Sequence, residues 1–261
     1  LMSSILGGRS GNRGKCAQPC RLPYQLEKDG KTVAHFSGEY LLSPKDLNFL
    51  DLLPELKKAG VISLKLEGRM KKPEYVATVV DAYRNALDQK NENSQSKLEG
   101  VFHRGFSQGY LNGIPGKSLM SSERPNNQGS YIGEVTRSKG FFAELHLNTP
   151  VATGDLLEIR WNKDERTIYT IKESDVCVKE GNSWKLQCSL RSEVPVSAMV
   201  YRIFSSELTQ WASQFYREGK EKRRISIMMT VSGRVGEKLH LILQDLDGNM
   251  AEVESEADSQ E

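Results

Sequence analysis

The spacing of apolar residues changes along this chain, and that change limits the fold more than any other feature of the sequence. Residues 22–36 predict a hairpin around an Asp29-Gly30 turn. Within residues 41–90, short apolar runs alternate with helical patterns. Val61 to Leu66 predicts a buried strand, and Pro73 to Leu87 predicts a helix with its valines on one side. From Tyr131 onward, apolar side chains recur at every second position in short segments separated by turns. The sequence therefore predicts an α/β region followed by a mainly β region.

The α/β region has the strand–helix order of a parallel barrel but is too short to complete one. A strand at Leu41-Leu42 is expected to lead into a helix that Ser43 caps, Pro44 opens and Pro54 divides into two pieces. About two strand–helix units therefore fit before residue 90. A complete barrel needs roughly 250 residues. We therefore predict the C-terminal remnant of a TIM-like (β/α) barrel in residues 1–90, with the rest of that domain expected upstream.

The remaining chain divides into three predicted segments. Residues 91–130 are rich in turn-forming residues and predict a linker and loop segment. Residues 131–204 hold the period-two segments and predict a small β-barrel. Residues 205–261 predict a helix from Glu207 to Arg223 and the start of a further α+β domain that ends in an acidic tail.

Composition and charge exclude several classes of protein. The chain has 261 residues, of which 38% are hydrophobic and 27% charged, and it has no apolar run of the roughly 18 residues that a membrane span needs. Its first residues lack the pattern of a secretory signal. We therefore expect a soluble, cytoplasmic protein, in which a reducing environment disfavours disulfide bonds among the four cysteines. A net charge of +2 does not by itself indicate a nucleic-acid-binding protein.

A basic loop near the first residue carries two of these cysteines. Cys16 and Cys20 lie among four cationic residues and no acidic ones: Arg9, Arg13, Lys15 and Arg21. Two thiolates in such a loop can ligate a metal or cluster, and the cations would offset the negative charge. Spacing alone nevertheless favours a pair of unliganded thiols. Cys177 and Cys188 lie in predicted strands of alternating pattern, so we expect them to be buried structural residues.

Charged residues follow the second predicted strand of the α/β region. Alternation places Lys65, Glu67 and Arg69 on one face if the strand continues, and α/β barrels keep their active sites at the carboxyl ends of strands. Arg69 could bind a carboxylate or phosphate, and Glu67 could transfer a proton. A structural ion pair at the rim is an equally good interpretation. Residues 43–46, after the preceding strand, rank lower because helix capping explains Ser43.

Several motifs, taken together, resemble a known family. They run in order along the first half of the chain: GRSGNRGKCAQPCRLPY at residues 8–24, KLEGRMK at 65–71, FHRGFSQGYL at 102–111 and SSERPNN at 121–127. This series is similar to the signature of peptidase family U32, the collagenase-like peptidases, and the resemblance covers residues 1–133. His103 and Gln128 depart from the residues usual in the family. The departures argue against a catalytic role for His103 and against an anion-binding role for Gln128.

The resemblance implies a fold and a chemistry. Family members have a TIM-barrel-like domain followed by a β-barrel, and large members add a collagenase-associated domain. Several resemble iron–sulfur proteins that hydroxylate a pyrimidine in ribosomal or transfer RNA, with prephenate as a required metabolite, and others are recorded as collagen-degrading peptidases. In the family a further cysteine pair usually precedes the segment with which this chain begins. Cys16 and Cys20 would then supply half of the ligands of a 4Fe–4S cluster.

These observations lead to one principal hypothesis and two alternatives. We expect an iron–sulfur enzyme that hydroxylates RNA, with Lys65, Glu67 and Arg69 as catalytic residues and Cys16 and Cys20 as metal ligands. The substrate would be bound by five basic residues: Arg9, Arg13, Lys15, Arg21 and Lys71. The alternatives are a collagenase-like endopeptidase that acts on collagen-like peptide, and a non-enzymatic module whose β-barrel docks RNA or protein. No contact with DNA or a membrane is expected, and the chain, as a fragment of a large member, is expected to be inactive alone.

Overall fold

The computed structural model of the chain describes residues 2–33, 38–68, 70–90, 93–163, 165–217 and 225–258. The chain forms two compact units, Leu1–Gln214 and Phe215–Glu261. The first unit contains two hydrophobic cores, a smaller one in its α/β part and a larger one in its main sheet. The division into four segments that the sequence suggests stays a prediction.

The helices of the described residues lie in the first unit. They are α1 (Met2–Gly7), α2 (Leu53–Lys58), α3 (Pro73–Leu87), α4 (Ser94–Glu99) and α5 (Ser206–Ser213). The helix α3 has the bounds that the sequence predicts. Its buried residues Ala82 and Tyr83 form the smaller core together with Leu50, Leu53 and Leu98. The helical pattern of residues 73–87 is therefore confirmed.

Two short strand pairs lie in the same part of the first unit. β1 (Glu27–Lys28) and β2 (Lys31–Thr32) form the predicted antiparallel hairpin, and β3 (Asp46–Leu47) pairs in parallel with β4 (Phe106–Ser107). Asp29 and Gly30 at the hairpin turn have φ angles of 53° and 72°, the left-handed conformation that such a two-residue turn requires. The hairpin is confirmed up to Val33, since residues 34–37 lie outside the described residues.

The structure does not confirm a remnant of a TIM-like barrel. Residues 61–68 belong to no strand in the described part of the chain, and Ile62 is 100% exposed. Parallel pairing among the described residues is limited to β3 and β4. A parallel strand is stable when neighbouring strands supply hydrogen bonds on its edges. The predicted strand at Val61 to Leu66 has no such neighbour within the described ranges.

The predicted helix start at Ser43 is wrong. Ser43 is buried, and its hydroxyl accepts a hydrogen bond from Arg21 Nη1 at 2.6 Å instead of capping a helix. The helix α2 begins at Leu53, and Pro54 lies in its first turn, where a backbone N–H would have no partner within the helix. The serine thus makes a tertiary contact, and the proline opens a helix that it was expected to divide.

Seven antiparallel strands form the main sheet of the first unit. They are β5 (Ser130–Lys139), β6 (Phe142–Leu147), β7 (Leu156–Arg160), β8 (Arg166–Thr170), β9 (Val176–Glu180), β10 (Ser183–Ser189) and β11 (Met199–Phe204). Their order in the sheet is β8-β7-β11-β5-β6-β10-β9. Alternate residues of these strands form the larger core, among them Leu145 and Leu147 in β6 and Leu157 and Ile159 in β7. The period-two pattern therefore predicted four of these strands, β5, β6, β7 and β10.

The predicted small β-barrel is not closed. The edge strands β8 and β9 follow each other in the chain, but the described residues form no ladder between them, since β8 pairs with β7 and β9 pairs with β10. The connection between them satisfies its polar groups locally. Asp175 accepts hydrogen bonds from the Tyr169 hydroxyl at 2.8 Å and from the Lys172 N–H at 2.8 Å. The result is an open sheet with two edges.

The second unit is a three-stranded antiparallel sheet. Its strands are β12 (Ile227–Ser232), β13 (Lys238–Asp245) and β14 (Met250–Asp258), in that order. Glu252 and Glu254 lie in β14, paired with Ile242 and His240 of β13, so these acidic residues belong to a strand and not to the predicted tail. The helix α5 ends at Ser213, and residues 218–223 of the predicted helix lie outside the described residues. No helix in the described ranges is long and apolar enough to span a bilayer.

Candidate functional site

Asp46 and Arg104 meet where the two parallel strands pair. The Arg104 backbone N–H donates to Asp46 Oδ2 at 2.8 Å, its Nε donates to the same oxygen at 3.2 Å, and its Nη2 donates to Oδ1. The pairing of β3 with β4 brings the two residues together, and the Asp46 N–H donates to the Gly105 carbonyl at 3.0 Å. A guanidinium that contacts both oxygens of a carboxylate fixes the orientation of both groups.

Arg21 extends from the cysteine loop to the same place. Its Nη1 atom donates to the Ser43 hydroxyl at 2.6 Å and to the following carbonyl, that of residue 44, at 2.7 Å. Burial lowers the pKa of Arg21, and the positive charge of Arg104 lowers it further, whereas negative charge on Cys20 and Asp46 opposes the shift. Arg21 therefore connects the cysteine loop electrostatically with the Asp46–Arg104 pair.

Lys71 is a third cation at this place. Its ammonium lies 3.0 Å from the centroid of the Phe102 ring and 5.8 Å from that of Tyr75. Burial lowers the pKa of Lys71 to about 8; Arg104 adds to this effect and Asp46 opposes it. A cavity of about 390 Å³ opens beside the ammonium, with the two rings and several aliphatic side chains in its wall.

We call Arg21, Asp46, Lys71 and Arg104 the Asp46 cluster. Three cations surround one carboxylate, so the cluster carries a positive charge that favours an anion. Guanidinium groups orient carboxylates and phosphates, and a lysine with a pKa near 8 exchanges its proton close to neutral pH. The cluster can therefore hold an anionic group and move a proton beside it.

The two predicted metal ligands lie just before Arg21. Cys20 is in the 3₁₀ turn Pro19–Arg21, and Cys16 Sγ accepts a hydrogen bond from the Gln18 N–H at 3.3 Å. Both thiols are half-buried, and a backbone hydrogen bond to sulfur with a nearby cation suits a thiolate ligand. The described residues contain no group of three or more metal-binding side chains. The two thiols thus fit half of the ligand set of a 4Fe–4S cluster and cannot hold one by themselves.

Two of the three predicted catalytic residues, Lys65 and Glu67, lie in segment 61–68. Lys65 and Glu67 are exposed, whereas Leu64 and Leu66 pack against the smaller core. Arg69 lies outside the described residues. Burial raises the pKa of Tyr75, and Asp46 contributes more to that shift than Glu67 does. Catalytic roles for Lys65, Glu67 and Arg69 stay predictions.

The predicted substrate-binding residues fall into two groups. Arg21 and Lys71 belong to the Asp46 cluster. Arg9, Arg13 and Lys15 are exposed in the loop that carries the cysteines. The structure thus brings two of the five basic residues to one place, and binding roles for all five stay predictions.

Asp46 and Arg104 are not among the site residues predicted from the sequence. The capping interpretation of residues 43–46 gives Asp46 no role, and Arg104 lies 58 residues further along the chain. Each residue borders a short apolar segment, and that is the signal in the sequence that could have indicated them. Parallel pairing of two such segments brings the residues beside them together.

A second ionic cluster joins the loop before β5 to the main sheet. Glu158 is 1% exposed and accepts hydrogen bonds from Arg124 Nη2 at 2.8 and 2.9 Å and from Arg160 Nη2 at 2.6 Å. Arg160 also donates to the Gln128 carbonyl at 2.7 Å. Burial raises the pKa of Glu158, but the hydrogen bonds from Arg124 and Arg160 outweigh burial and hold the pKa below its ordinary value. Because a buried charge must be paired, this cluster fixes the loop to the sheet.

His103 and Cys188 have structural roles. His103 is buried, its Nδ1 accepts a hydrogen bond from the Gly105 N–H at 3.1 Å, and its ring stacks on Phe106. Burial lowers the pKa of His103 and so favours the neutral ring. Cys188 is buried in the larger core, where burial raises the pKa of its thiol to about 12. The predicted burial of Cys188 is confirmed, and Cys177 is half-buried against the same core.

Comparison with known proteins identifies relatives of this chain. Residues 1–121 match peptidase family U32. The chain is 33% identical over 167 residues to a 23S rRNA 5-hydroxycytidine synthase of Escherichia coli, which covers 58% of the chain and 25% of that protein. It is 42% identical over 93 residues to a tRNA hydroxylation protein of Bacillus subtilis, and this alignment covers 34% of the chain and 22% of that protein. It is 39% identical over 219 residues to a collagenase of Porphyromonas gingivalis, and this alignment covers 76% of the chain and 60% of that protein. No solved structure matches the chain.

The matched regions contain the cysteine loop and both halves of the Asp46–Arg104 pair within residues 1–121. The chain spans between 22% and 60% of the length of these three relatives, whose names describe different activities. What they share is the family, and the chain belongs to peptidase family U32.

Proposed function

We propose that this chain is part of an enzyme that hydroxylates a pyrimidine base in ribosomal or transfer RNA. The observation that carries the proposal is the Asp46 cluster next to the loop of Cys16 and Cys20. RNA is a polyanion, and a site with more cations than carboxylates attracts it. Two relatives with rRNA and tRNA hydroxylation in their names support this choice of reaction.

An iron–sulfur cluster is the proposed cofactor. Cys16 and Cys20 would supply two thiolate ligands, and the other ligands would come from outside the described residues. The cluster would provide the redox chemistry that hydroxylation of a base needs. Arg21, which responds electrostatically to Cys20, would offset the negative charge of the thiolates.

Prephenate is proposed to bind in the cavity beside Lys71. The cavity of about 390 Å³ combines one ammonium with the rings of Phe102 and Tyr75 and with aliphatic side chains such as Leu208. A carboxylate would pair with Lys71, and the ring of the metabolite would lie against the apolar wall. The bound anion would favour the protonated form of Lys71 and so hold a proton next to the site.

Nucleoside analysis tests the proposed reaction. After deletion of the gene in its source organism, ribosomal and transfer RNA would be digested and compared with wild-type RNA by mass spectrometry. We expect one hydroxylated pyrimidine nucleoside to disappear. The wild-type gene and the Lys139→Met control, which changes an exposed residue of β5, should restore it, whereas Cys20→Ala and Lys71→Met should not. If every hydroxylated nucleoside is retained in the deletion strain, the proposed reaction is wrong.

The cofactor has a separate test. Full-length protein purified without oxygen should contain iron and acid-labile sulfide and should absorb visible light as iron–sulfur proteins do. Cys16→Ala and Cys20→Ala should each lower the iron content strongly, and Cys188→Ala, which removes a buried thiol, should not. Equal iron in all variants would exclude the two cysteines as ligands.

A collagenase-like peptidase is the alternative, because the alignment with the Porphyromonas gingivalis collagenase covers 76% of the chain. His103 is buried and stacks on Phe106, which argues against its use as a catalytic histidine of a peptidase. Gelatin cleavage by the full-length protein that is lost in Glu67→Gln and kept in Lys139→Met would favour the peptidase. Intact gelatin together with a missing hydroxylated nucleoside would favour the hydroxylase.

A further inference from the structure

A cleft of about 930 Å³ lies in the first unit between the loop of residues 120–128 and the main sheet. Its other walls come from Lys45 and Arg104 beside the parallel strand pair and from the turn after β7 at residues 161–163. Arg104 belongs to the Asp46 cluster as well, so the cleft leads to the candidate site. Among the described residues, the cysteines, Lys65 and Glu67 do not line it.

The walls of the cleft are strongly cationic. One carboxylate lines it, that of Glu123, together with five basic side chains: Lys45, Arg104, Arg124, Arg160 and Lys163. When Asp46, Glu158 and Glu39, which pair with these cations, are counted as well, five cations face four carboxylates. A surface of this kind binds a polyanion through its phosphates.

The arginines of the cleft are held in place before any ligand binds. Glu158 fixes Arg124 and Arg160, and Asp46 fixes Arg104. Lys163 is 48% exposed and lies 3.9 Å from an exposed carboxylate of Glu39, a pair too weak to neutralise it. The cleft thus has paired arginines at its base and an exposed ammonium at its rim.

Aromatic rings lie between these cations. Trp161 and Tyr201 line the cleft, and the Arg160 guanidinium stacks 3.8 Å from the Tyr201 ring centroid. Tyr131, which is 51% exposed, meets Tyr201 edge-on with 5.6 Å between ring centroids. Cations interleaved with aromatic faces bind single-stranded nucleic acid, because unpaired bases stack on the rings while phosphates pair with the cations.

We propose that this cleft binds single-stranded RNA and leads it to the Asp46 cluster. The choice of RNA rests on the proposed function, whereas the position of the cleft rests on its charges and rings. Lys163 contacts phosphates, and Trp161 stacks on a base. Arg104, shared by the cleft and the cluster, marks the point where the strand meets the site.

The test measures binding by the 261-residue chain to a fluorescently labelled, unstructured pyrimidine-rich RNA of twelve nucleotides at several salt concentrations. Trp161→Leu keeps apolar volume but removes the ring and should weaken binding about fivefold or more, with the salt dependence unchanged. Lys163→Glu should weaken binding by a similar factor and lower the slope of log affinity against log salt by about one. Lys139→Glu, which reverses an exposed charge outside the cleft, is the matched control and should bind as wild type does.

The assignment of the cleft is wrong if all three variants bind RNA as tightly as wild type does. It is also wrong if Lys139→Glu weakens binding as much as the two cleft variants do. A poly-glutamate chain serves as a second probe, and an effect of Trp161→Leu on poly-glutamate as large as that on RNA would overturn stacking on bases. Lys163 is exposed, so its variant keeps the fold even if Trp161→Leu does not, and thermal unfolding checks both. The two proposals can fail separately. If RNA binding depends on the cleft but the deletion strain keeps every hydroxylated nucleoside, the cleft is supported as an RNA-binding site and the proposed reaction is wrong.

Discussion

At the scale of single residues, Asp46 sets the electrostatics of the candidate site. Its carboxylate pairs with Arg104, opposes the lowering of the pKa of Lys71 and Arg21, and helps to raise the pKa of Tyr75. Burial and Arg104 act on Lys71 in the other direction. The protonation of Lys71 therefore depends on two neighbours of opposite charge that are bound to each other.

This balance predicts how Lys71 titrates. Since its pKa is about 8, Lys71 should become reactive toward acetic anhydride as the pH rises through about 8, which mass spectrometry of the labelled protein can follow residue by residue. Asp46→Asn removes the charge that supports the ammonium, so the midpoint should move to lower pH. Arg104→Gln removes the opposing cation and leaves Asp46 free to pair with Lys71, so the midpoint should move to higher pH.

The prediction is specific because the two variants should shift the titration midpoint of Lys71 in opposite directions. Labelling of the exposed Lys139 at each pH provides the reference for reagent decay in all three proteins. A general loosening of the fold would move Lys71 in the same direction in both variants. Shifts of equal sign would therefore show that direct charge interactions do not control Lys71.

Gly133 determines the geometry of the main sheet at the scale of elements. It pairs with Leu147 of β6 and with Val200 of β11, next to the point where the register between β5 and β11 shifts. Its φ is 150°, and a Cβ atom at this position would lie 2.0 Å from the His146 carbonyl oxygen. The close approach of two backbones leaves no room for a side chain.

Gly133→Ala should therefore lower the free energy of unfolding by roughly 2 kcal/mol or more, because backbone atoms must move to admit the methyl group. Urea unfolding followed by tryptophan fluorescence measures the change. Gly140→Ala is the matched control, since Gly140 also has positive φ, 58°, but has nothing within 4 Å of the added carbon. It should cost only about 1 kcal/mol, and equal losses in the two variants would show that the clash is relieved without cost.

At the scale of the whole molecule, the two units predict separate unfolding. Both hydrophobic cores lie in the first unit, Leu1–Gln214, and so do all three tryptophans, Trp161, Trp184 and Trp211. Tryptophan fluorescence therefore reports on the first unit alone. A protein that ends at Gln214 should show the same thermal midpoint as the full chain to within about 2 °C, which corresponds to less than about 1 kcal/mol for a unit of this size. A larger fall would show that residues 215–261 stabilise the first unit.

The sequence by itself determined the features that depend on local pattern. The helix α3, the Asp29-Gly30 hairpin and the strands β5, β6, β7 and β10 follow from the spacing of apolar residues and from turn residues, because each residue there responds mainly to near neighbours in the chain. The motifs that resemble peptidase family U32 likewise lie within short segments, and the family is confirmed. The pair of cysteines in a cationic loop also needed no tertiary information.

Only the tertiary structure decided how these segments combine. Arg104 reaches Asp46 through the parallel pairing of β3 with β4, and Ser43 binds Arg21 instead of capping a helix. The main sheet stays open between β8 and β9, and the buried Glu158 pairs with Arg124, which lies 34 residues earlier in the chain. Such contacts depend on which segments meet in space, and the local propensity of a residue carries no information about its partner across the fold.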